Sequence, residues 1–278
     1  MKTSVLESGN EGGFETMMIN QTMEQLGAMK LNAMGQEYRR QQELSAMQEL
    51  PFDDRFGMII DNQWRARKDS KIKKLIKAAN LKEPSACLED IDYDPVHNIA
   101  KVQIAQLSDC QWIQNGLNLI VTGLTGTGKT YLMSAFGREA CMRGYSVKTY
   151  RVNRLLTDLA IGRGDGSYNK LIQELKKPDL LILDDFGMAA VEPSACRDLL
   201  EVIDERYGKK SIAISAQLPV SKWIEVFTDA TIADAILDRI VHNAYRLYPQ
   251  GPSKRTNLNA ALEEPKKKEG DKHQTDVI

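Results

Sequence analysis

The sequence predicts an α/β fold, a parallel sheet flanked by helices, preceded by a small all-helical N-terminal domain. Three observations carry this. From about residue 117 onward, short apolar runs alternate with helix-length stretches, the pattern of a sheet covered on both faces. Residues 21–80 instead show apolar side chains at helical spacing only. The run Leu180-Leu181-Ile182-Leu183 is apolar at every position, as a strand buried on both faces requires.

The polar start, with Ser8-Gly9-Asn10-Glu11-Gly12-Gly13, reads as a flexible N-terminus over 1–20. Met23, Leu26, Met29 and Ala33 open the helical domain, 21–83. Pro51 interrupts, and Asp53 or Asp54 can cap a second helix through Phe56, Ile60 and Trp64. A third helix is expected from near Ser70, burying Ile72, Leu75, Ile76 and Ala79. Eight of the eleven methionines precede residue 60, which suits adaptable helix packing. After Pro84 and Pro95, a helix through Ile99–Ile113 stops at Asn115-Gly116. Strands are expected at Leu117–Val121, Ser146–Tyr150, Leu180–Leu183 and Ser211–Ala216, all within an α/β domain over 84–258. The residues 259–278, with Lys266-Lys267-Lys268, form a charged tail too poor in apolar groups to fold.

Composition limits the function. The chain has 278 residues, 42% hydrophobic and 27% charged, with 37 Lys and Arg against 38 Asp and Glu. That excludes a fibrous or wholly disordered protein. No apolar run reaches membrane-spanning length, and the N-terminal segment lacks the apolar core of a secretion signal, so the chain reads as cytoplasmic with no membrane contact. Cys87, Cys110, Cys141 and Cys196 match no zinc spacing, and His97, His242 and His273 stand alone. Reduced structural thiols are expected.

A net charge of −1 gives no general attraction to nucleic acid, so any binding must come from a local patch. One exists. From Trp64 to Lys82 lie eight basic residues, Arg65, Arg67, Lys68, Lys71, Lys73, Lys74, Lys77 and Lys82, opposed only by Asp69. A solvated helix face would look similar, but the one-signed charge over an apolar stripe suits phosphate contact.

Gly123-Leu124-Thr125-Gly126-Thr127-Gly128-Lys129-Thr130 fits G-x-x-x-x-G-K-[ST] at every defined position, with a strand before it and a helical pattern after it. The glycines let backbone N–H groups converge on a β-phosphate at a helix N-terminus, where the dipole favours negative charge. Lys129 would bridge β- and γ-phosphates, and Thr130 would ligate Mg2+; Tyr131 follows in the same turn. Asp184-Asp185 ends the apolar strand, with Asp184 assigned to the metal and Asp185 to the attacking water. An Asp at the second position, where a Glu is commoner, predicts slow hydrolysis. At the tip of the strand ending at Ala216, Ser215 or Gln217 can sense the γ-phosphate. Arg239 can stabilise charge on a transferring phosphoryl group, often from a neighbouring subunit, and Arg255 is a further candidate near the nucleotide.

In this order the motifs resemble the AAA+ superfamily, and closely the IstB family of insertion-sequence transposition helpers, itself similar to the helicase loader DnaC. The resemblance covers about residues 20–258. It rests on Leu88-Glu89-Asp90-Ile91-Asp92-Tyr93-Asp94, Cys110-Gln111-Trp112-Ile113, the P-loop, Leu181-Ile182-Leu183-Asp184-Asp185-Phe186-Gly187, Ser215-Ala216-Gln217-Leu218-Pro219 and Leu237-Asp238-Arg239-Ile240-Val241-His242-Asn243-Ala244. It implies an AAA+ ATPase using ATP and Mg2+. Such a protein forms a homo-oligomer through the ATP site on double-stranded DNA and hands the target to a partner transposase. Arg239 matches the position expected for an arginine finger. The segment Val152–Leu175 corresponds to an insertion that initiator-type relatives use against DNA, where Arg151, Arg154, Arg163, Lys170, Lys176 and Lys177 supply charge. Within it, Gly162-Arg163-Gly164-Asp165-Gly166 reads as a loose stretch.

Other readings remain in view. A DnaC-like replicative helicase loader would use the same motor and prefer single strands. A small-molecule kinase would leave the basic N-terminal domain unexplained. A guanine-reading GTPase is disfavoured because Asn169-Lys170-Leu171-Ile172 lacks the required Asp.

Overall fold

The computed structural model describes residues 11–253, with side chains from residue 18 on. The expected tail over 259–278 and Arg255 lie outside the described residues. The chain divides into two compact units between Ala78 and Ala79, where the sequence reading sets 83/84.

The first unit contains α1 (Glu11–Ala28), α2 (Asn32–Glu43), the single turn α3 (Ser45–Gln48) and most of α4 (Phe52–Ala79). Helix α1 thus begins inside the segment expected to be flexible. Gly35 of α2 lets Met23 approach: a Cβ there would stand 3.2 Å from the Met23 sulfur. Polar contacts join α2 to α4. Asn62 Nδ2 donates to the Ala33 carbonyl at 3.2 Å, and the Met34 amide donates to Gln63 Oε1 at 3.3 Å. Helix α4 does not break near Ser70. No Pro or Gly interrupts 58–79, so the helical ladder continues through a serine that would otherwise suit an N-cap. Its 28 residues span about 42 Å. It ends at Asn80, whose φ of 53° is the left-handed stop that Asn tolerates.

The second unit begins with short helices, α5 (Lys101–Ser108) and α6 (Gln111–Gln114). The single helix expected over 99–113 is split because Cys110 adopts φ 59° between them. Then come β1 (Asn118–Thr122), α7 (Lys129–Met142), β2 (Val147–Arg151), α8 (Val152–Asp165), α9 (Tyr168–Lys176), β3 (Leu180–Phe186), α10 (Pro193–Arg206), β4 (Ser211–Ala216), α11 (Ala230–Val241) and β5 (Ala244–Leu247). The strands form one parallel sheet in the order β2-β3-β4-β1-β5.

Burial explains that order. β1 and β4 are buried at every residue, and β3 at all but Asp185, whereas β2 and β5 lie at the edges and are partly exposed. Side chains of β3 alternate between faces. Leu181 and Leu183 join the core formed with α8 to α11, while Ile182 lies on the opposite side, near Gly137 of α7. The stretch expected to be loose is ordered: α8 includes Gly162 and Gly164 and ends at Gly166 with φ +80°. A Cβ on Gly162 would stand 2.9 Å from the Tyr168 amide nitrogen, so glycine permits the tight α8–α9 turn.

All four cysteines are unpaired thiols. Burial pushes both Cys110 and Cys141 up to about 12, consistent with unreactive structural thiols. Among the described residues, no helix is long and apolar enough to cross a membrane.

Candidate functional site

Because every strand is parallel, the loops after β1, β3 and β4 emerge along one edge of the sheet, where ligands of open α/β sheets bind. The loop after β1 turns into α7 through two left-handed glycines, Gly126 at φ 87° and Gly128 at φ 89°. A Cβ on Gly123 would fall 2.4 Å from the Pro249 carbonyl oxygen, and one on Gly126 would meet Ser253. Both must therefore be glycine for the loop to close. Lys129 starts α7 and folds back over the loop, donating to the Gly123 and Leu124 carbonyls at 2.7 Å each.

This loop forms one wall of a cleft of about 370 Å³, lined by Thr125 through Leu132 together with Asp90, Ile91, Asp92, Ile99, Asp185 and Gln217. The 90–99 side is held by His97, whose Nε2 lies 2.7 Å from Asp92 Oδ2. The Gln250 amide donates to the His97 carbonyl at 2.9 Å. Tyr131 lines the cleft and also anchors the preceding segment, its hydroxyl bonding the backbone N and O of Cys87 at 3.2 Å.

The acidic pair ends β3. Asp184 is 2% exposed and accepts a hydrogen bond from the Ser215 hydroxyl, which in turn accepts from the Asp185 amide at 3.2 Å. The β3–β4 register shifts between Leu183 and Phe186, and Asp185 takes φ 62°. A left-handed non-glycine residue costs about 1–2 kcal/mol, and this one turns the second carboxylate toward the cleft. Ser215 is 1% exposed and braces the acids from behind, whereas Gln217 lines the cleft itself.

Two cations meet these acids. Lys82 Nζ lies 2.5 Å from Asp184 Oδ2 and 3.2 Å from Asp185 Oδ2, and Arg151 Nε lies 3.0 Å from Asp185 Oδ2. Sequence reasoning put Arg151 against DNA; its place at the end of β2, beside β3, brings it to the acidic pair instead. The other two arginines of that group are also paired. Arg154 Nε sits 3.1 Å from Asp158, and Arg163 binds the buried Asp198 and stacks over Tyr168. The expected α4 cations, Arg65, Arg67, Lys68, Lys71, Lys73, Lys74 and Lys77, are all exposed.

Arg239 is not at the cleft. It ends α11, pairs with Asp204 of α10 and donates to the Ala235 carbonyl at 2.8 Å. Its own carbonyl accepts from Asn118 Nδ2 at 3.2 Å, beside the start of β1. The five residues of β1 put about 16 Å between that end and the loop.

The donor set fits the groups implied. The glycine cradle leaves no room for side chains, Thr130 and Asp184 line one recess beside the cleft, and that acidic recess already faces a cation, Lys82. Among the described residues, no group of three or more His, Cys, Asp or Glu side chains is placed to hold a metal alone. Magnesium here would be held by Thr130, Asp184 and the phosphates.

A parallel sheet of this order, with a phosphate-type loop after β1 and an acidic pair at the end of β3, defines a P-loop protein of the AAA+ fold. Within that class, the chain belongs to the family of IstB-like ATP binding proteins, whose model matches residues 24–261. The insertion sequence IS1162 ATP-binding protein of Pseudomonas fluorescens is 43% identical over 205 residues, covering 74% of this chain and 89% of its own. The insertion sequence ATP-binding protein y4pL of Sinorhizobium fredii is 37% identical over 241 residues, covering 87% and 98%. Among solved structures, DnaI matches with a TM-score of 0.53 at 20% identity over 66% of this chain and 93% of its own. AMPPCP-bound DnaA from Aquifex aeolicus matches with a TM-score of 0.51 at 20% identity over 62% and 51%. Those two likenesses are of fold.

Proposed function

We propose that the chain is a Mg2+-dependent ATP hydrolase that assembles on duplex DNA and assists a partner transposase. The observation that carries this reading is the convergence of the Gly123–Thr130 loop and Asp185 on one cleft in a chain whose relatives are named for insertion sequences.

The backbone N–H groups of the loop and the first turn of α7 receive the phosphates. Lys129 leaves the Gly123 and Leu124 carbonyls for the β- and γ-phosphates. Thr130 and Asp184 would hold the metal, which would supply charge neutralisation to the phosphates. Asp185 orients the attacking water and draws its proton, and Gln217 senses the γ-phosphate. Arg239 is too far from its own loop, so it serves the site of a neighbouring copy. This supports assembly through the ATP site. The exposed basic run of α4 meets the DNA backbone, with no sequence-reading module among the elements described.

The test is binding of the full chain to a duplex several helical turns long and to the matching single strand. Each is measured without nucleotide and with ADP, ATP and a non-hydrolysable analogue, at one stated salt concentration. Duplex binding that requires the triphosphate supports the reading. A clear single-strand preference moves it to a helicase loader, and binding to neither removes the DNA role.

A further inference from the structure

Lys82 lies outside every motif that points to the site, yet its ammonium stands between the two carboxylates assigned to metal and water. The surroundings fix its backbone. Leu81 is buried against α7 where Gly137 has no side chain; a Cβ there would be 2.7 Å from Leu81 Cδ2. On the other side, the Glu83 amide donates to Ser134 Oγ at 3.3 Å. Only the side chain of Lys82 is left to move, and it is one-third exposed, so its ammonium has a path to water.

Lys82, Thr130, Asp184 and Thr149 line one recess. These include both residues assigned to the metal. The hydroxyl of Thr149 is buried there with no hydrogen-bond partner. A buried hydroxyl left unsatisfied costs about 1–3 kcal/mol; with the Lys82 ammonium in place the recess has no room for a water, so a partner can reach Thr149 only once that ammonium withdraws. An ammonium is itself a compact, strongly hydrated point charge, the side chain best suited to stand in for a hydrated cation.

We propose that Lys82 holds the cation position between Asp184 and Asp185 until magnesium enters with the nucleotide, and so sets the metal demand of nucleotide binding. This rests on the nucleotide reading above. Lys82 and the metal compete for the same carboxylates. An ammonium seated on a carboxylate must leave before another cation can bind there, so it lowers the apparent affinity for that cation. Arg151 touches only Asp185, from a mostly exposed position, so its effect is smaller.

The experiment measures the dissociation constant of a fluorescent ATP analogue on the full chain, from chelator to saturating Mg2+, for the unaltered protein, Lys82→Met, Lys82→Arg and Arg151→Met. In Lys82→Met the Mg2+ concentration giving half of the maximal affinity gain falls about tenfold. Affinity in chelator also drops, because the bared carboxylates repel the phosphates. Lys82→Arg and Arg151→Met shift the midpoint less. A Lys82→Met midpoint that stays put or rises, with affinity falling equally at every Mg2+ concentration, overturns the inference and marks Lys82 as a plain phosphate contact or strut. If the unaltered chain binds no nucleotide, the nucleotide reading falls first and this one with it.

Discussion

Arg239 and Asp204 form an ion pair beside the first residues of β1, at the opposite end of that strand from the P-loop. If Arg239 acts as a finger, its tether at that end keeps it from its own cleft and it must act on another copy. We expect Arg239→Ala to bind nucleotide normally and to hydrolyse it at least about a thousandfold more slowly, the usual worth of such a finger. Mixed with Lys129→Ala protein, it should recover part of the rate, because each variant supplies what the other lacks. Failure to recover at any mixing ratio would place the catalytic arginine elsewhere.

Lys129→Ala should lose tight ATP binding, since the phosphates lose their main cation. Asp185→Asn should bind ATP with near-normal affinity, stop turnover and hold an assembled protein–DNA complex. Equilibrium binding and phosphate release separate the two variants. Normal turnover in Asp185→Asn would assign the water to another group.

On α4, neutralising Lys71, Lys73, Lys74 and Lys77 together should weaken duplex binding and reduce its log–log salt slope by up to about 3.6 units, the value for four lost phosphate contacts. An unchanged slope would mean these lysines are only a solvated face.

Asp179 gives a stability prediction. Burial alone would raise its carboxyl, but the Lys210 ammonium and the Ser146 hydroxyl and amide outweigh burial and hold it below the ordinary range. A carboxyl depressed in the folded state stabilises above its unfolded value, about 3.9, and that stabilisation disappears as pH falls through the folded value. Asp179→Asn should therefore lower Tm near neutrality, and the gap should close in acid. A gap constant with pH would show that the charge contributes nothing.

Much of this was legible in the chain itself. The P-loop and the acidic pair are local strings whose chemistry depends on adjacent residues, and Ser211–Ala216 was read to the residue. β5 was not read, because four half-exposed residues at a sheet edge carry no apolar period. The break at Cys110 and the unbroken α4 turned on single backbone angles that tertiary packing decides. Arg151 and Lys82 were misjudged for a different reason. Lys82 reaches Asp185 across 103 positions, and a linear reading groups charges by neighbourhood in sequence, whereas parallel strands group them by position along the sheet edge.

If Arg239 acts in trans, the two ends of β1 do different work, and any row of copies has a direction. If the loop end receives a neighbour's arginine while the far end offers one, contacts run head to tail and one terminal subunit always lacks a donor. A closed ring wastes no site, whereas an open filament wastes one whatever its length. Turnover per subunit in short assemblies would then climb with length toward a plateau. Counting subunits against phosphate released would distinguish an open row from a closed one without an image of either.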